Sequence, residues 1–363
     1  MLDFTSALYL GLEHASWELE PWSALTQGRP AALSEAREAR GLAAGLADLM
    51  GCESGVLMPS TLHLFWDLFG VLARQSVGVL LDDAAYPIMR WGLQRVVATG
   101  APVRLFSHRD PSSLARQTKA LLASGRRPVI VTDGVCLSCG RVAPLRRYLH
   151  LLERHDGWLV VDDTQALGLL GAGGGGSLCW SGQRSPRALI GASLAKAFGA
   201  PLAVLTGSAE RIRELVTQSE TRVHSSPPCA AVIRAGQRAL ELNASVGDEL
   251  RRRLSELLAR FRHRLRQMGL KVLDHPLPVQ TLQLPANLPS SAFYRALLAR
   301  GIQSVLHKSP HDGTAGVSFI ITAAHSAADI DHASSVVAEL LREFGIVRSM
   351  REWPPSLSEI RGT

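Results

Sequence analysis

Hydrophobic and polar positions alternate between two kinds of segment over much of the chain. Short, mostly apolar runs occur at residues 79–81, 102–106, 128–131, 158–161, 188–190 and 203–206. Segments with apolar residues at helical spacing occur at residues 34–49, 87–97, 111–123 and 145–154. Short apolar strands separated by amphipathic helices are typical of a sheet that is buried on both faces. The pattern therefore predicts an α/β fold with a large doubly wound domain and a mostly parallel sheet.

The pattern changes near residue 248. A long helical segment is followed by short strand-like runs and a last helix, at residues 282–284, 305–306, 317–322 and 330–344. This order predicts a smaller C-terminal α+β domain. We therefore expect an N-terminal segment at residues 1–35, a large domain at 36–245 and a small domain at 246–363.

Composition is ordinary for a globular protein. Of 363 residues, 46% are hydrophobic and 20% are charged. No apolar run approaches the roughly 20 residues that span a bilayer. The first residues also lack the basic start of a secretory signal. We expect a cytoplasmic protein with no membrane partner.

The chain is basic, with a net charge of +7, and only four of its 39 basic residues are lysines. A basic surface would suit a phosphorylated partner such as coenzyme A, or an acyl carrier protein. The densest arginine cluster, at residues 251–266, shares its helical segment with an apolar stripe. We interpret it as a solvated helix face and expect no nucleic-acid partner.

Five cysteines are dispersed along the chain, which does not suggest a disulfide framework. Cys136 and Cys139 form a C-x-x-C pair. A zinc site of the usual spacing needs a second such pair, which the sequence lacks, so we expect no metal. A thioredoxin-like redox pair remains an alternative, but a structural role is favoured.

An apolar strand at residues 158–161 ends in the acidic pair Asp162-Asp163. In open α/β sheets ligands bind outside the carboxyl ends of the strands, where a rigid element holds the side chain. Many proteins also end a strand in aspartate for capping or metal binding, so this motif alone does not identify a site.

Lys196 follows the strand-like run at residues 188–190 and is surrounded by small residues. Burial of an ammonium group is costly, lowers its pKa and makes the amine a nucleophile for a carbonyl. A surface lysine in a turn is the alternative for Lys196 taken alone. Together with the upstream acidic strand end, the sequence favours a Schiff-base lysine.

Residues 171–176 (GAGGGG) formally match the dinucleotide pattern G-x-G-x-x-G. A true fingerprint opens a helix directly after the strand and has an acidic residue about 20 positions later. Neither condition holds, so we interpret the run as a flexible turn. Binding of a nicotinamide nucleotide is the less favoured alternative.

Five motifs, in order, resemble those of the α-oxoamine synthases, a family of fold-type I, aspartate aminotransferase-like enzymes. Residues 161–171 (VDDTQALGLLG) are similar to V-D-E-A-H-x-x-G-x-x-G. Residues 132–145 (TDGVCLSCGRVAPL) are similar to T-D/E-G-V-F-S-M-D-G-x-x-A-P-L. The other motifs are at residues 8–14 (LYLGLEH), 191–199 (GASLAKAFG) and 322–329 (TAAHSAAD). The resemblance extends over nearly the whole chain.

The resemblance implies pyridoxal 5′-phosphate (PLP) as the cofactor. Lys196 would attach it covalently, and Asp162 would bond its protonated pyridine nitrogen. Gln165 stands where the family has a histidine near the phenolic oxygen, and Tyr86 where a histidine stacks on the ring. Asp133, in the second motif, is also expected at the cofactor.

The resemblance also implies a phosphate site. Ser60 and Thr61 would lie in a turn that offers backbone N–H groups at a helix start, and Ser193 would bond the same phosphate. Ser225 and Ser226 resemble a stretch that reaches the phosphate of the neighbouring subunit. The family forms homodimers with shared active sites, so a homodimer is expected here.

The sequence departs from the family at the arginine that binds the substrate carboxylate, where it has Ser318. A serine cannot supply a bidentate charged contact. Either another residue binds the carboxylate, or the amino substrate lacks one. The candidates are Arg29, His307 and Lys308.

The leading hypothesis is a PLP-dependent transferase that condenses an amino acid with an acyl thioester, with loss of carbon dioxide, to give an α-amino ketone. An aminotransferase or decarboxylase, acting without a thioester, is the alternative. A non-catalytic PLP-fold binding protein is the alternative from another class.

Overall fold

The computed structural model describes residues 1–285, 287–308 and 315–346. Its strands are β1 (Leu2–Asp3), β2 (Ser54–Met58), β3 (Val77–Asp82), β4 (Val103–Phe106), β5 (Arg127–Asp133), β6 (Trp158–Asp162), β7 (Ala188–Ser193), β8 (Ala203–Gly207), β9 (Val279–Leu282), β10 (Ile302–Gln303), β11 (Val305–Lys308) and β12 (Ala315–Ile320).

The α-helices of the described residues lie between these strands along the chain or after the last of them. They are α1 (Arg37–Leu49), α2 (Thr61–Ala73), α3 (Pro87–Ala98), α4 (Pro111–Leu122), α5 (Leu145–Glu153), α6 (Ser177–Trp180), α7 (Ala209–Gln218), α8 (Thr221–His224), α9 (Ala230–Gln267), α10 (Ser290–Ala299) and α11 (Ala327–Glu343).

A seven-stranded mixed sheet, in the order β2-β8-β7-β6-β5-β3-β4, forms the centre of the larger unit. The strands from β4 to β7 in that order are parallel to one another. Within the described part of this sheet, only the pairings of β8 with β7 and with β2 are antiparallel. The predicted α/β class with a mostly parallel sheet is confirmed.

The central strands are continuously apolar because helices cover both of their faces. Every residue of β3 and β6 is buried. β2 and α2 are also largely buried, although the sequence pattern did not predict them. α2 is apolar on most sides, with Phe65 and Phe69 fully buried, so it lacks the one-sided pattern of a surface helix.

Contacts between residues divide the chain into two units. The larger comprises Ala7–Arg253 and Asp274–Leu277, and the smaller Met1–Ser6, Leu254–Leu273 and the described residues from Pro278 onward. This grouping differs from the linear division at residues 35 and 245, because β1 pairs with β10 and so joins the smaller unit. Residues 347–363 of the predicted small domain lie outside the described part.

Helix α9 begins well before residue 248, where the sequence pattern placed the long helix. It runs through Gly236 and Gly247, although glycine is a weak helix former. A Cβ on Gly236 would lie 2.6 Å from Leu42 Cδ2, and one on Gly247 would lie 2.6 Å from Asn243 Oδ1. Close packing therefore explains glycine at both positions.

The arginines of residues 251–266 are not a wholly solvated face, which corrects that interpretation. In the larger unit, Arg251 donates to the carbonyl of Gly168 at 3.0 Å. In the smaller unit, buried Arg262 donates to Gln280 Oε1 at 2.9 Å. Both arginines therefore form hydrogen bonds inside their own unit.

The smaller unit contains the antiparallel sheet β11-β12-β9 and helices α10 and α11. Helix α11 begins with a capping box between Ser326 and Asp329. Strands β9 and β12 lie a few residues earlier than the predicted segments 282–284 and 317–322. Among the described residues, no helix combines the length and apolar character needed to cross a membrane.

The glycine run at residues 171–176 is a turn, as expected, but neighbouring side chains hold it in place. A 3₁₀ turn at Ala172–Gly174 leads into Gly176, whose φ is +93°. The buried Asp163 carboxylate accepts the N–H of Ser177 at 2.8 Å, and Asn243 donates to the carbonyl of Gly173 at 2.9 Å. The run therefore closes a packed turn.

We predict that Gly176→Ala destabilises the protein. The new Cβ would overlap the Asp163 carboxylate, and the positive φ would strain an alanine. Backbone strain of about 1–2 kcal/mol and overpacking of about 1–3 kcal/mol should lower the free energy of unfolding. Chemical denaturation measures the loss.

Gly182→Ala is the matched control. Gly182 also has a positive φ, but nothing lies within 4 Å of its Cβ position. We expect only the backbone strain of about 1–2 kcal/mol. Equal losses for the two variants would show that the contact with Asp163 does not constrain the turn.

Candidate active site

Strands β3, β5, β6 and β7 are parallel neighbours, so their carboxyl ends share one edge of the sheet. Asp82, Asp133, Asp162 and Ser193 are the last residues of these strands. The register pairs Asp133 with Asp162 directly. Lys196 lies in the turn that follows β7. The fold thus brings the predicted catalytic residues to the edge where α/β proteins bind ligands.

Asp162 is 6% exposed, and its Oδ1 accepts the N–H of Thr164 at 3.0 Å. Burial raises the pKa of the Asp162 carboxyl, while the bonds from Thr164 and the charge of Lys196 act in the opposite direction. A carboxylate with little water around it interacts strongly with a cation. The residue is therefore suited to bond a protonated ring nitrogen.

Lys196 is half-buried, and burial lowers the pKa of its ammonium group while Asp162 raises it. A lower pKa increases the fraction of neutral amine, which is the nucleophilic form. The small neighbours of Lys196 reflect close packing in this turn. A Cβ on Gly168 would lie 2.5 Å from Ala197 Cβ, and one on Gly199 would overlap the carbonyl oxygen of Leu12.

Tyr9 is a site residue that sequence reasoning missed, although it belongs to the motif at residues 8–14. Its hydroxyl is buried, and it donates to Gln165 Oε1 at 2.5 Å. Because the amide accepts through Oε1, its Nε2 is left as the donor. Tyr9 therefore orients Gln165, and burial raises the pKa of the Tyr9 phenol so that it stays protonated.

Thr164 joins the ends of β6 and β7. Its Oγ1 accepts the N–H of Ser193 at 3.0 Å, and the Ser193 hydroxyl in turn accepts the N–H of Ala195 at 3.2 Å. These bonds fix the start of the turn that carries Lys196. Ser193 therefore shapes the backbone here, in addition to its predicted contact with a phosphate.

Ser60 is the N-cap of α2, and Thr61 is the first residue of that helix. Ser60 Oγ accepts the N–H of His63 at 3.4 Å and lies 2.9 Å from His63 Nδ1. The N–H groups of a first helical turn have no acceptor within the helix and favour a bound phosphate. The binding of a phosphate by Ser60 and Thr61 stays a prediction.

Asp133 contacts the backbone of Tyr86, which precedes α3. The Asp133 carboxylate accepts the Tyr86 N–H at 3.1 and 3.3 Å. Burial, followed by the nearby charge of Asp162, raises the pKa of the Asp133 carboxyl, and the Tyr86 bond opposes this. The Tyr86 ring is 51% exposed. Asp133 therefore positions Tyr86.

Ser225 and Ser226 follow α8. The Ser225 hydroxyl donates to the carbonyl of Thr221 at 2.8 Å, and Ser226 is exposed. An exposed position is compatible with contact to a neighbouring subunit. Their predicted role at the phosphate of that subunit stays a prediction.

Ser318 lies on β12 of the smaller unit and is buried. Its hydroxyl lies 2.7 Å from Thr281 Oγ1 and 3.3 Å from His307 Nε2, and His307 Nδ1 lies 3.1 Å from the carbonyl oxygen of Gly316. Lys308 is exposed at the end of β11. Within this unit, Ser318 and His307 therefore interact with each other and with the sheet.

Arg29 is exposed in the larger unit and lines a cavity of about 350 Å³ with Glu35 and Pro227. Neither Lys196 nor Asp162 lines that cavity. The structure therefore does not bring Arg29 into contact with the residues at the strand ends. The binding of a substrate carboxylate by Arg29, His307 or Lys308 stays a prediction.

Known proteins are similar to this chain in sequence. The family model "Aminotransferase class I and II" matches residues 26–337. An 8-amino-7-oxononanoate synthase of Alcanivorax borkumensis is 32% identical over 66% of this chain and 62% of its own length. One from Dechloromonas aromatica is 32% identical over 74% of this chain and 70% of its own length. The chain thus spans 62% to 70% of these curated relatives.

Solved structures show the same fold. A serine palmitoyltransferase from S. paucimobilis with bound PLP and myriocin has a TM-score of 0.84 at 16% identity, over 95% of this chain and 88% of that one. The 8-amino-7-oxononanoate synthase of Francisella tularensis has a TM-score of 0.73 at 18% identity, over 95% and 99%. The predicted fold-type I architecture is confirmed. The chain belongs to the aminotransferase class I and II family and, within it, to the α-oxoamine synthase family.

Proposed function

We propose that this chain is a PLP-dependent enzyme that joins an amino acid to the acyl group of an acyl thioester, with loss of carbon dioxide, to give an α-amino ketone. The observation that carries the proposal is the half-buried amine of Lys196 beside the buried carboxylate of Asp162 at one edge of the sheet. Family membership and relatives that are named 8-amino-7-oxononanoate synthase support it.

The residues at the strand ends fit PLP. Lys196 would hold the cofactor through Nζ, and Asp162 would bond the pyridine nitrogen, because its buried carboxylate favours a cationic partner. Ser60, Thr61 and Ser193 would hold the phosphate at the start of α2 and the end of β7. When bound, PLP withdraws electrons from the bond that breaks at the α-carbon of the substrate.

Lys196 also suits proton transfer. Its lowered pKa brings the amine closer to the range in which it both takes up and releases a proton at Nζ near neutral pH. Gln165 is held by Tyr9 and donates through Nε2, so it orients a group without changing charge. The proton-transferring group of this site is therefore Lys196.

The acyl donor in this proposal is a coenzyme A thioester or an acyl carrier protein. A net charge of +7 favours association with either acidic partner. The proposal extends to a homodimer with shared active sites, supported by the exposed Ser226, and to a cytoplasmic location. Arg29, His307 and Lys308 remain the candidates for binding the substrate carboxylate.

Ser318 supports a second candidate function. A buried serine, hydrogen-bonded within its own sheet, stands where the resemblance places a carboxylate-binding arginine. An aminotransferase or decarboxylase that acts on an amine, or on an unusual amino acid, would not need that arginine. A non-catalytic role is disfavoured, since a binding protein needs neither Lys196 nor Asp162 in this arrangement.

We predict that turnover depends on a thioester. PLP-loaded protein incubated with a panel of amino acids and acyl-coenzyme A should release carbon dioxide and free coenzyme A in equal amounts. Mass spectrometry and thiol titration measure both products. Loss of the amino acid at full rate without a thioester, either alone (decarboxylase) or with a 2-oxo acid added as amino acceptor (aminotransferase), would instead establish the second candidate function.

We predict that Asp162→Asn lowers turnover by roughly 10²–10³-fold, the effect of removing one preorganised electrostatic contact. The amide is isosteric, so the protein should remain folded and retain the cofactor. Steady-state kinetics on PLP-loaded protein measures the loss.

Asp156→Asn is the matched control, because Asp156 is an exposed residue that precedes β6 at its other end. We expect its turnover to match the unmodified protein. Near-normal turnover of Asp162→Asn would remove Asp162 from the proposed role.

A further inference from the structure

Three side chains with thiol sulfur or imidazole nitrogen atoms lie close together at the edge of the sheet where β4 and β5 end. His108 follows β4, and Cys136 and Cys139 lie in the turn after β5. One donor atom from each lies within 4.8 Å of the other two, and His108 Nε2 is 3.4 Å from Cys139 Sγ. The cluster lies within the larger unit and uses none of the residues proposed to hold PLP.

The imidazole of His108 is held with one nitrogen toward the thiols. Its Nδ1 lies 2.9 and 3.0 Å from the two carboxylate oxygens of Asp82, which is 1% exposed. Thr132 Oγ1 donates to the same carboxylate at 3.1 Å. A carboxylate on one ring nitrogen fixes the orientation of a metal-binding histidine and makes the other nitrogen a better ligand.

The turn that carries the cysteines is fixed by backbone bonds. The Cys136 N–H donates to the carbonyl of Arg141 at 3.0 Å, and the Gly140 N–H donates to the carbonyl of Cys136 at 2.7 Å. Gly140 has a φ of +68°, and the ring of His275 packs where a Cβ would be. Arg109, next to His108, donates to the carbonyl of Val142 at 2.6 Å. Both loops are therefore held together before any metal binds.

His108 and Cys139 lower the pKa of the Cys136 thiol below its usual value. Burial acts to raise the pKa of the Cys136 thiol, but hydrogen bonds from His108 and Cys139 outweigh it and bring the pKa to about 7. The thiolate is the form that binds metals. The geometry of the cluster, independently of this shift, supplies two sulfurs and one nitrogen.

We propose that His108, Cys136 and Cys139 bind one zinc ion through Nε2 and the two Sγ atoms, with water in the fourth position. Two thiolates and one imidazole are a common zinc donor set, and three protein ligands leave one position open. Binding releases the two thiol protons and the proton on His108 Nε2, so two thiolate charges balance the ion. The zinc would tie the loop after β4 to the turn after β5.

This proposal revises the expectation of a plain structural C-x-x-C and no metal. A zinc motif search looks for a second C-x-x-C, whereas the third ligand here precedes the cysteines and comes from another loop. The parallel pairing of β3 with both β4 and β5 is what brings the two loops together. The zinc site is independent of the proposed reaction.

The test uses PLP-loaded protein that is reduced, treated with a chelator and then dialysed against zinc. We expect one zinc per chain by elemental analysis, and cobalt in its place should give the visible bands of a tetrahedral thiolate site. Cys139→Ser should weaken zinc binding by about 100-fold or more, since removing a ligand should exceed the 10–100-fold effect of an outer contact. Cys229→Ser is the matched control and should bind as the unmodified protein does.

A visible spectrum of bound PLP in Cys139→Ser would show that this variant is folded and still binds the cofactor. Loss of zinc binding can then be distinguished from loss of structure and from failure of the proposed function. Two results would overturn the proposal. One is that the unmodified protein, after reduction, binds no stoichiometric zinc. This result counts equally if the protein is isolated with a Cys136–Cys139 disulfide and is then reduced. The other is Cys139→Ser that binds zinc with unchanged affinity.

Discussion

The parallel pairing of β3, β5 and β6 ends each strand in an aspartate at the same edge of the sheet, with Asp133 directly opposite Asp162. Burial and like charge both disfavour ionised carboxylates there. Burial raises the pKa values of both Asp133 and Asp162, and the charge of Asp162 raises that of Asp133 further. Hydrogen-bond donors and cations that face Asp133 and Asp162 oppose these shifts, and the chemistry of the site follows from the partner that each residue has.

Each aspartate at this edge of the sheet has a different partner. Asp162 faces the ammonium of Lys196, Asp133 accepts the backbone N–H of Tyr86, and Asp82 binds the His108 imidazole. The edge is thereby divided into a region suited to a cationic pyridine ring and a region suited to a metal-binding histidine. Only the first region takes part in the proposed condensation reaction.

Much of this could be predicted from the sequence, and the failures have physical causes. Apolar runs located most strands of the large sheet, and the acidic strand end with Lys196 located the candidate site. Helix α2 was missed because it is buried on most sides, and the start of α9 because its glycines are set by packing. Tyr9 with Gln165, and His108 with the cysteines, meet only through tertiary contacts that no local spacing encodes.

Chemical mapping shows whether Lys196 is the residue that carries PLP. PLP-loaded protein is reduced with borohydride, digested, and the modified peptide is sequenced by mass spectrometry. This role of Lys196 predicts a single phosphopyridoxyl group on Lys196 and none on the Lys196→Ala variant. Stoichiometric label on Lys119, Lys271 or Lys308, or no covalent label at all, would contradict it.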